Sequence, residues 1–393
     1  MNRFRFLNQK VVLLCVLNTI VGLLVFFLLQ KNHILPGDNS TVFHLGPKVK
    51  AWFASEKPAL DGARFLIIDT SKDYMVVDNA RGDLSEDITN GVAVVHRGLL
   101  LRFMDLLNKT KDYNYVMCNI LFDYASPKYD RELVHEMSSL PRFSISSGLG
   151  KEMLHAPYRD LPMADASVYM PGGTMTKYRL YDLYKQDTLR SFPLDMYTAI
   201  HETRFKHGMF YSSLGAKKVF NDFQLEKFID RDHIQTLSLG EICSLDVTSF
   251  KAATKNKIII IDNIEANLKK TIYGDAISMP VITANAYLAL IKGDTVITWY
   301  FITFLTLCCL FFSYLISLPQ GRLYPTIFDK PVIGILRGGI WYIPFFALLS
   351  VFVYFVFGNN LNLTYLGGFF YMENLFFNWK YHWKRVKRKM NFN

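Results

Sequence analysis

Cysteine is scarce in this 393-residue chain, and what there is falls mostly in apolar surroundings. Of five cysteines, Cys15, Cys308 and Cys309 lie inside long apolar runs, which leaves Cys118 and Cys243 for the rest of the sequence. That is too few for a disulfide scaffold, and no spacing resembles a metal motif. Cys118 sits in the apolar stretch Tyr115 to Phe122, where a small buried thiol is the default. A Cys118–Cys243 bridge in an oxidising compartment stays open.

Catalytic signatures are missing too. There is no Gly-x-Ser-x-Gly elbow. The run Ser147-Gly-Leu-Gly150 lacks the further glycines or the fixed-offset lysine of a phosphate loop. Pro171-Gly-Gly-Thr174 reads as a turn. His96, His201, His207 and His233 show no His-Glu-x-x-His pairing. With no activated nucleophile in view, the chain is expected to be no enzyme and to need no metal or cofactor. Internal repeats and low-complexity tracts are absent.

Long apolar runs are present. One covers Val11–Leu29, and two more cover Val296–Leu318 and Val332–Phe357. At a rise of 1.5 Å per residue, about 20 apolar residues cover the ~30 Å core of a bilayer. Arg3, Arg5 and Lys10 precede the first run. Lys380, Lys384, Arg385, Lys387, Arg388 and Lys389 follow the last apolar stretch, with no acid among them. Basic residues collect on cytoplasmic flanks, so both termini are expected in the cytoplasm, which requires an even number of crossings. The fourth candidate is Leu361–Trp379, which carries Asn362, Glu373, Asn374 and Asn378. A carboxylate in a span usually faces other helices, so Glu373 and Asn374 are expected to couple this helix to a neighbour. The other reading of 361–379 is an amphipathic helix on the membrane surface. The net charge of +10 comes largely from these flanking residues, so no nucleic-acid surface is implied.

The first run is longer than the apolar core of a signal peptide, and Leu28-Leu-Gln-Lys31 is not a small-residue cleavage site. An uncleaved anchor is expected. The domain plan is then a basic N-terminus (1–10), a span (11–29), a stem rich in proline and glycine (30–60), an extracytoplasmic domain (61–294), spans over 296–318, 332–357 and 361–379, and a basic tail (380–393).

Residues 61–294 alternate strand and helix signals. Strands are expected at Arg64–Asp69, Tyr115–Phe122, Phe143–Ser147, Ala166–Met170 and Lys257–Ile261. Helices are expected at Val92–Leu107, Asp130–Met137, Leu194–Phe205 and Pro280–Ile291. Solid apolar strands such as Ile258–Ile261 are those buried on both faces. The fold class predicted is therefore an α/β domain with a largely parallel sheet, plus a small bundle of four spans, one N-terminal and three C-terminal.

Asp69, Asp123 and Asp262 each close a predicted strand. Ligands bind beyond the carboxyl ends of strands in open α/β sheets, so three acids there would frame a pocket. Their plainer role is to supply polar turn residues. Thr271, Gly274 and Asn285 would line the same cleft. Alternatively, Gly274 supplies a positive-φ turn and Asn285 bonds neighbouring backbone.

Several segments resemble the CHASE sensors of the second type, the extracytoplasmic sensory domains found beside bacterial cyclases and histidine kinases. They are Phe65-Leu-Ile-Ile-Asp69, Asp87-Ile-Thr-Asn90, the stretch Leu99 to Leu107, Tyr115 to Asp123, Arg190 to Tyr197, and above all Lys257 to Asp262, Thr271-Ile-Tyr-Gly274 and Ala284 to Leu290 with Gly293. An N-terminal anchor and three closing spans match that family's layout. The chain departs from it at Asp262-Asn263, where the family commonly has glycine. It also lacks the family's Asp and His before the Thr-x-x-Gly turn, and no output domain is expected after the last span. The resemblance implies a sensor in a bacterial inner membrane, with its main domain on the periplasmic side. Its partners would be the bilayer, an external ligand and a separate effector protein, and a homo-oligomer is compatible with it. The alternative is a non-sensing structural subunit of an envelope complex.

Overall fold

The computed structural model describes residues 9–32, 58–77, 91–148, 154–166, 173–175, 177–184, 187–274, 276–293, 296–317, 342–359 and 361–376. The chain divides into two units. One comprises Pro47–Thr295, and the other joins Met1–Gly46 to Val296–Asn393.

In chain order the elements used below are α1 (Gln9–Asn32), β1 (Phe65–Asp69), β2 (Tyr74–Val77), β3 (Val92–Val95), α2 (Arg97–Thr110), β4 (Tyr115–Cys118), α3 (Asp130–Ser138), β5 (Phe143–Ser146), β6 (Met163–Ala164), α4 (Phe192–Ile200), β7 (Gln235–Ser238), α5 (Leu239–Ser244), α6 (Val247–Thr254), β8 (Ile258–Asp262), β9 (Leu268–Lys270), β10 (Ala276–Ser278), α7 (Met279–Lys292), α8 (Trp299–Ser317) and α9 (Tyr342–Phe357).

The first unit is an α/β domain on a six-stranded sheet in the order β7-β1-β8-β4-β5-β6. Every pairing in it is parallel. Two adjacent inner strands, β1 (Phe-Leu-Ile-Ile-Asp) and β8 (Ile-Ile-Ile-Ile-Asp), carry no polar alternation because both faces are covered. On one face Leu66, Ile68, Val116, Ile259 and Ile261 meet Leu100, Phe103 and Leu107 of α2, Leu133 and Met137 of α3, Ile242 of α5 and Phe250 of α6. The other face is closed by α4 and α7, where the rings of Phe65 and Tyr287 meet edge to face at 6.0 Å. Helix α7 is buried from Met279 to Leu290 and ends at Gly293, whose φ of 80° is the left-handed value that suits glycine.

Some boundaries differ from expectation. Val92–Val95 is not helical but pairs antiparallel with β2. Three valines in four residues favour the pleated form, and the helix starts only after His96, whose Nδ1 accepts the Leu99 N–H at 3.1 Å. The strand expected over Tyr115–Phe122 stops at Cys118. The helix expected over Leu194–Phe205 ends at Ile200. A strand lies at Met163–Ala164 instead of starting at Ala166, and residues 167–170 of that expectation are outside the described residues. So is most of the expected stem. Cys118 and Cys243 are both free and buried, and the Cys243 thiol donates to the Leu99 carbonyl at 3.4 Å.

The second unit is helical. Two of its helices are long and apolar enough to cross a membrane, Val11–Leu29 within α1 and Trp299–Ile316 within α8. Four were expected, and two meet the test among the described residues. The described part of the third, α9, has 16 residues, about 24 Å of rise, and the described part of the fourth is helical over 364–376. Residues 332–341 and 377–379 of those expected spans are outside the described residues. Within this unit Asn18 of α1 donates through Nδ2 to Ser313 Oγ of α8 at 3.0 Å and to Glu373 Oε2 at 2.6 Å. Phe312, Phe346 and Phe370 cluster with ring centroids 4.8 to 5.8 Å apart.

Candidate functional site

Because all six strands of the sheet run the same way, their carboxyl ends share one edge. Thr70 follows β1, Asn263 follows β8, Asn119 follows β4, and Ser146 ends β5. These four residues line a cavity of about 530 Å³. Further walls come from β3 (Val92 to Val95), from the irregular segment after β4 (Ile120, Leu121, Asp123, Tyr124), from Gly148 and Ala166, and from Asn267, Lys269 and Met279. An open parallel sheet concentrates binding sites at this edge.

Asp262 is the floor of the arrangement and is fully buried. Its Oδ2 accepts from Asn119 Nδ2 at 2.9 Å, and its Oδ1 accepts from Asn267 Nδ2 at 2.7 Å and from the Asn263 N–H at 2.7 Å. Burial pushes its carboxyl up to about 6. The three donors hold it from rising further, and Asp69 adds to the rise. Asp69 is the register partner of Asp262 on the adjacent strand. Its carboxylate binds the Ser71 N–H and hydroxyl and the Ile264 N–H, at 2.8 to 3.3 Å, so it ties the ends of β1 and β8 together.

The three acids therefore share the predicted edge with different tasks. Asp123 lines the cavity, Asp262 lies beneath it, and Asp69 serves the turn. Asp123 is not at a strand end, since β4 stops five residues earlier. Thr271, Gly274 and Asn285 are not among the lining residues. Thr271 accepts the Tyr273 N–H and, through its carbonyl, the Gly274 N–H. Gly274 has φ +92°, with open space where a Cβ would stand. Asn285 uses all of its bonding capacity on backbone. Its Oδ1 accepts from Phe228 and Ile229, and its Nδ2 donates to Ile229 and Val281. The backbone-bonding alternative describes it. Glu373 meets Asn18 as described, and Asn374 is half-buried on the same helix.

A further group was not visible in the sequence. Arg97 opens α2 fully buried, with its guanidinium 4.3 Å from the Phe122 ring. That ring stacks on Tyr158 at 4.2 Å, and the Tyr158 hydroxyl donates to Asp130 at 2.6 Å. The four residues are far apart in sequence and individually unremarkable, so nothing in the pattern joins them. Burial also pushes the Cys118 thiol up to about 12 and the Cys243 thiol to about 11, away from nucleophilic thiolates. Among the described residues no three His, Cys, Asp or Glu side chains group as metal ligands. Chemically the cavity offers hydrogen bonds and charge beside an apolar wall, which is the composition of a small-molecule site.

The chain matches no known family, no curated protein and no solved structure.

Proposed function

We propose that the protein is a membrane-anchored, extracytoplasmic ligand-binding sensor that passes its signal to a separate partner through its helical unit. The observation that carries this reading is the cavity at the carboxyl edge of the sheet, with Asp262 holding two lining amides by their nitrogens. A site built this way binds small molecules differentially, and a ligand that prefers one arrangement of the domain shifts its population. The resemblance to second-type CHASE sensors and the span order support the same reading.

In this reading the chain crosses the bilayer four times. α1 and α8 do so by length, and the other two crossings are the apolar runs 332–357 and 361–379. Both basic ends lie in the cytoplasm of a bacterial cell. The Asn18–Glu373 and Asn18–Ser313 bonds join α1 to two C-terminal helices, where a polar contact between helices fixes their packing. That contact is the coupling element, and the effector is a membrane or cytoplasmic protein.

Two measurements test this. A membrane-impermeant maleimide should label Tyr129→Cys and Lys227→Cys from outside intact cells; labelling only after lysis removes the reading. The full chain in nanodiscs should gain thermal stability with a specific solute, because ligands of the native state raise it. A screen without any shift, together with stable co-purification of envelope proteins, would favour the structural subunit instead.

A further inference from the structure

The cavity's lining has a polarity, and Asp262 sets it. An ionised carboxylate only accepts hydrogen bonds, so Asn119 and Asn267 must turn their Nδ2 atoms to it, at 2.9 and 2.7 Å. The network thereby fixes which way each amide faces. The end left over in both is the carbonyl Oδ1. Both side chains are half-buried and line the cavity, and neither Oδ1 takes a hydrogen bond among the described residues. Asp123, half-buried on the same wall, is a third acceptor. Its carboxylate accepts no hydrogen bond among the described residues, and the buried Arg97 guanidinium interacts with it without a direct ion pair.

One lining residue carries the opposite charge. Lys269, in the middle of β9, is half-buried and pairs with no acid among the described residues. A simple organic cation would meet the Lys269 ammonium, and a simple anion would meet Asp123 and two amide oxygens. A molecule with both charges satisfies all of them, and the apolar strand Val92–Val95 with Tyr124 is left for a hydrocarbon group.

We propose that the cavity binds a free α-amino acid. Its ammonium is held by Asn119 Oδ1, Asn267 Oδ1 and the Asp123 carboxylate, and its carboxylate by Lys269. This rests on the sensory reading above and names its ligand class.

The test is calorimetry on the full chain in nanodiscs at fixed pH and salt. The probes are a panel of free L-amino acids, with phenethylamine and 3-phenylpropionate as single-charge analogues of phenylalanine. At least one amino acid should bind, and for an aromatic one each analogue should bind roughly tenfold more weakly or worse. Asp123→Asn should weaken the amino acid by a similar factor while sparing 3-phenylpropionate. Lys269→Gln should weaken the amino acid while sparing phenethylamine. This crossover does not arise from a general loss of structure. Analogues as tight as the amino acid, or affinity unchanged in both variants, would overturn the proposal. So would a cavity that takes only an uncharged or singly charged solute, which leaves the sensory reading standing. If no solute of any class binds, both readings fall.

Discussion

In the unit built on the sheet, Ile258, Ile259, Ile260 and Ile261 are at most 2% exposed, whereas in the helical unit Leu13, Leu307 and Leu348 are 60 to 70% exposed. Polar groups follow the reverse rule. Thr19 and Ser313 are buried at 3% and 1% in the helical unit, beside Asn18 and Glu373. In the sheet unit the exposed positions of α2 and α3 are largely charged or polar, such as Arg102, Lys109, Arg131 and Glu132. The same residue types thus occupy opposite places. Water drives hydrocarbon inward in one unit. In the other, outward hydrocarbon with inward polar contacts is the arrangement that suits a lipid solvent, where packing and hydrogen bonds hold helices together.

The contrast can be broken by truncation. Ile261→Ala, inside the sheet core, should cost about 2–5 kcal/mol. Leu13→Ala, on the outer face of α1, should change stability by less than about 0.5 kcal/mol. Thermal unfolding of the full chain in nanodiscs compares them, and equal effects would erase the distinction between the units.

A smaller effect sharpens the picture of the buried acid. Asp262 is raised from 3.8 to about 6 in the fold, so the native state takes up a proton that the unfolded chain does not hold between those values. The strain of its ionised form is fully present above about pH 6 and is relieved as pH falls toward 4, a gain on the order of 3 kcal/mol. Relative to Asp262→Asn, the wild type should therefore gain stability on going from pH 7 to pH 4. A pH-independent difference between the two would contradict the assignment.

A further and weaker effect than that of Asp262 lies in the helical unit. Asn18→Ala removes both bonds from α1 and should cost about 1 kcal/mol, read as a lower midpoint for loss of helix packing in detergent. The pH dependence assigned to Asp262 should be unaltered.

The parallel core was legible because it is written in consecutive residues. Phe65–Ile68 and Ile258–Ile261 are apolar without alternation, which only a strand covered on both faces tolerates. The edge strand β7, Gln-Thr-Leu-Ser, gave no such signal because it is half-exposed. Val92–Val95 misled, since its apolar residues continue smoothly into the stripe of α2, and only the His96 cap separates them. The site was legible in part. Asp262 and Asp123 stood out as acids after apolar runs, yet Asn119 and Asn267 drew no notice. Their role exists only through bonds to Asp262, and Asn119 lies 143 residues from it in sequence. Asn285 could be read either as a lining residue or as a backbone tie, and only the four bonds to 228–229 and Val281 decide between them.

Helix α7 has a mechanical consequence. Its first residue, Met279, touches the cavity, and its last turn closes at Gly293, just before the connection Asp294 to Thr298 that leads into α8. Fourteen residues make a rod about 21 Å long, and with nearly every side chain packed and Asn285 pinned it has little room to bend. This well-packed rod is also the covalent route by which the chain runs from the cavity toward the next helix.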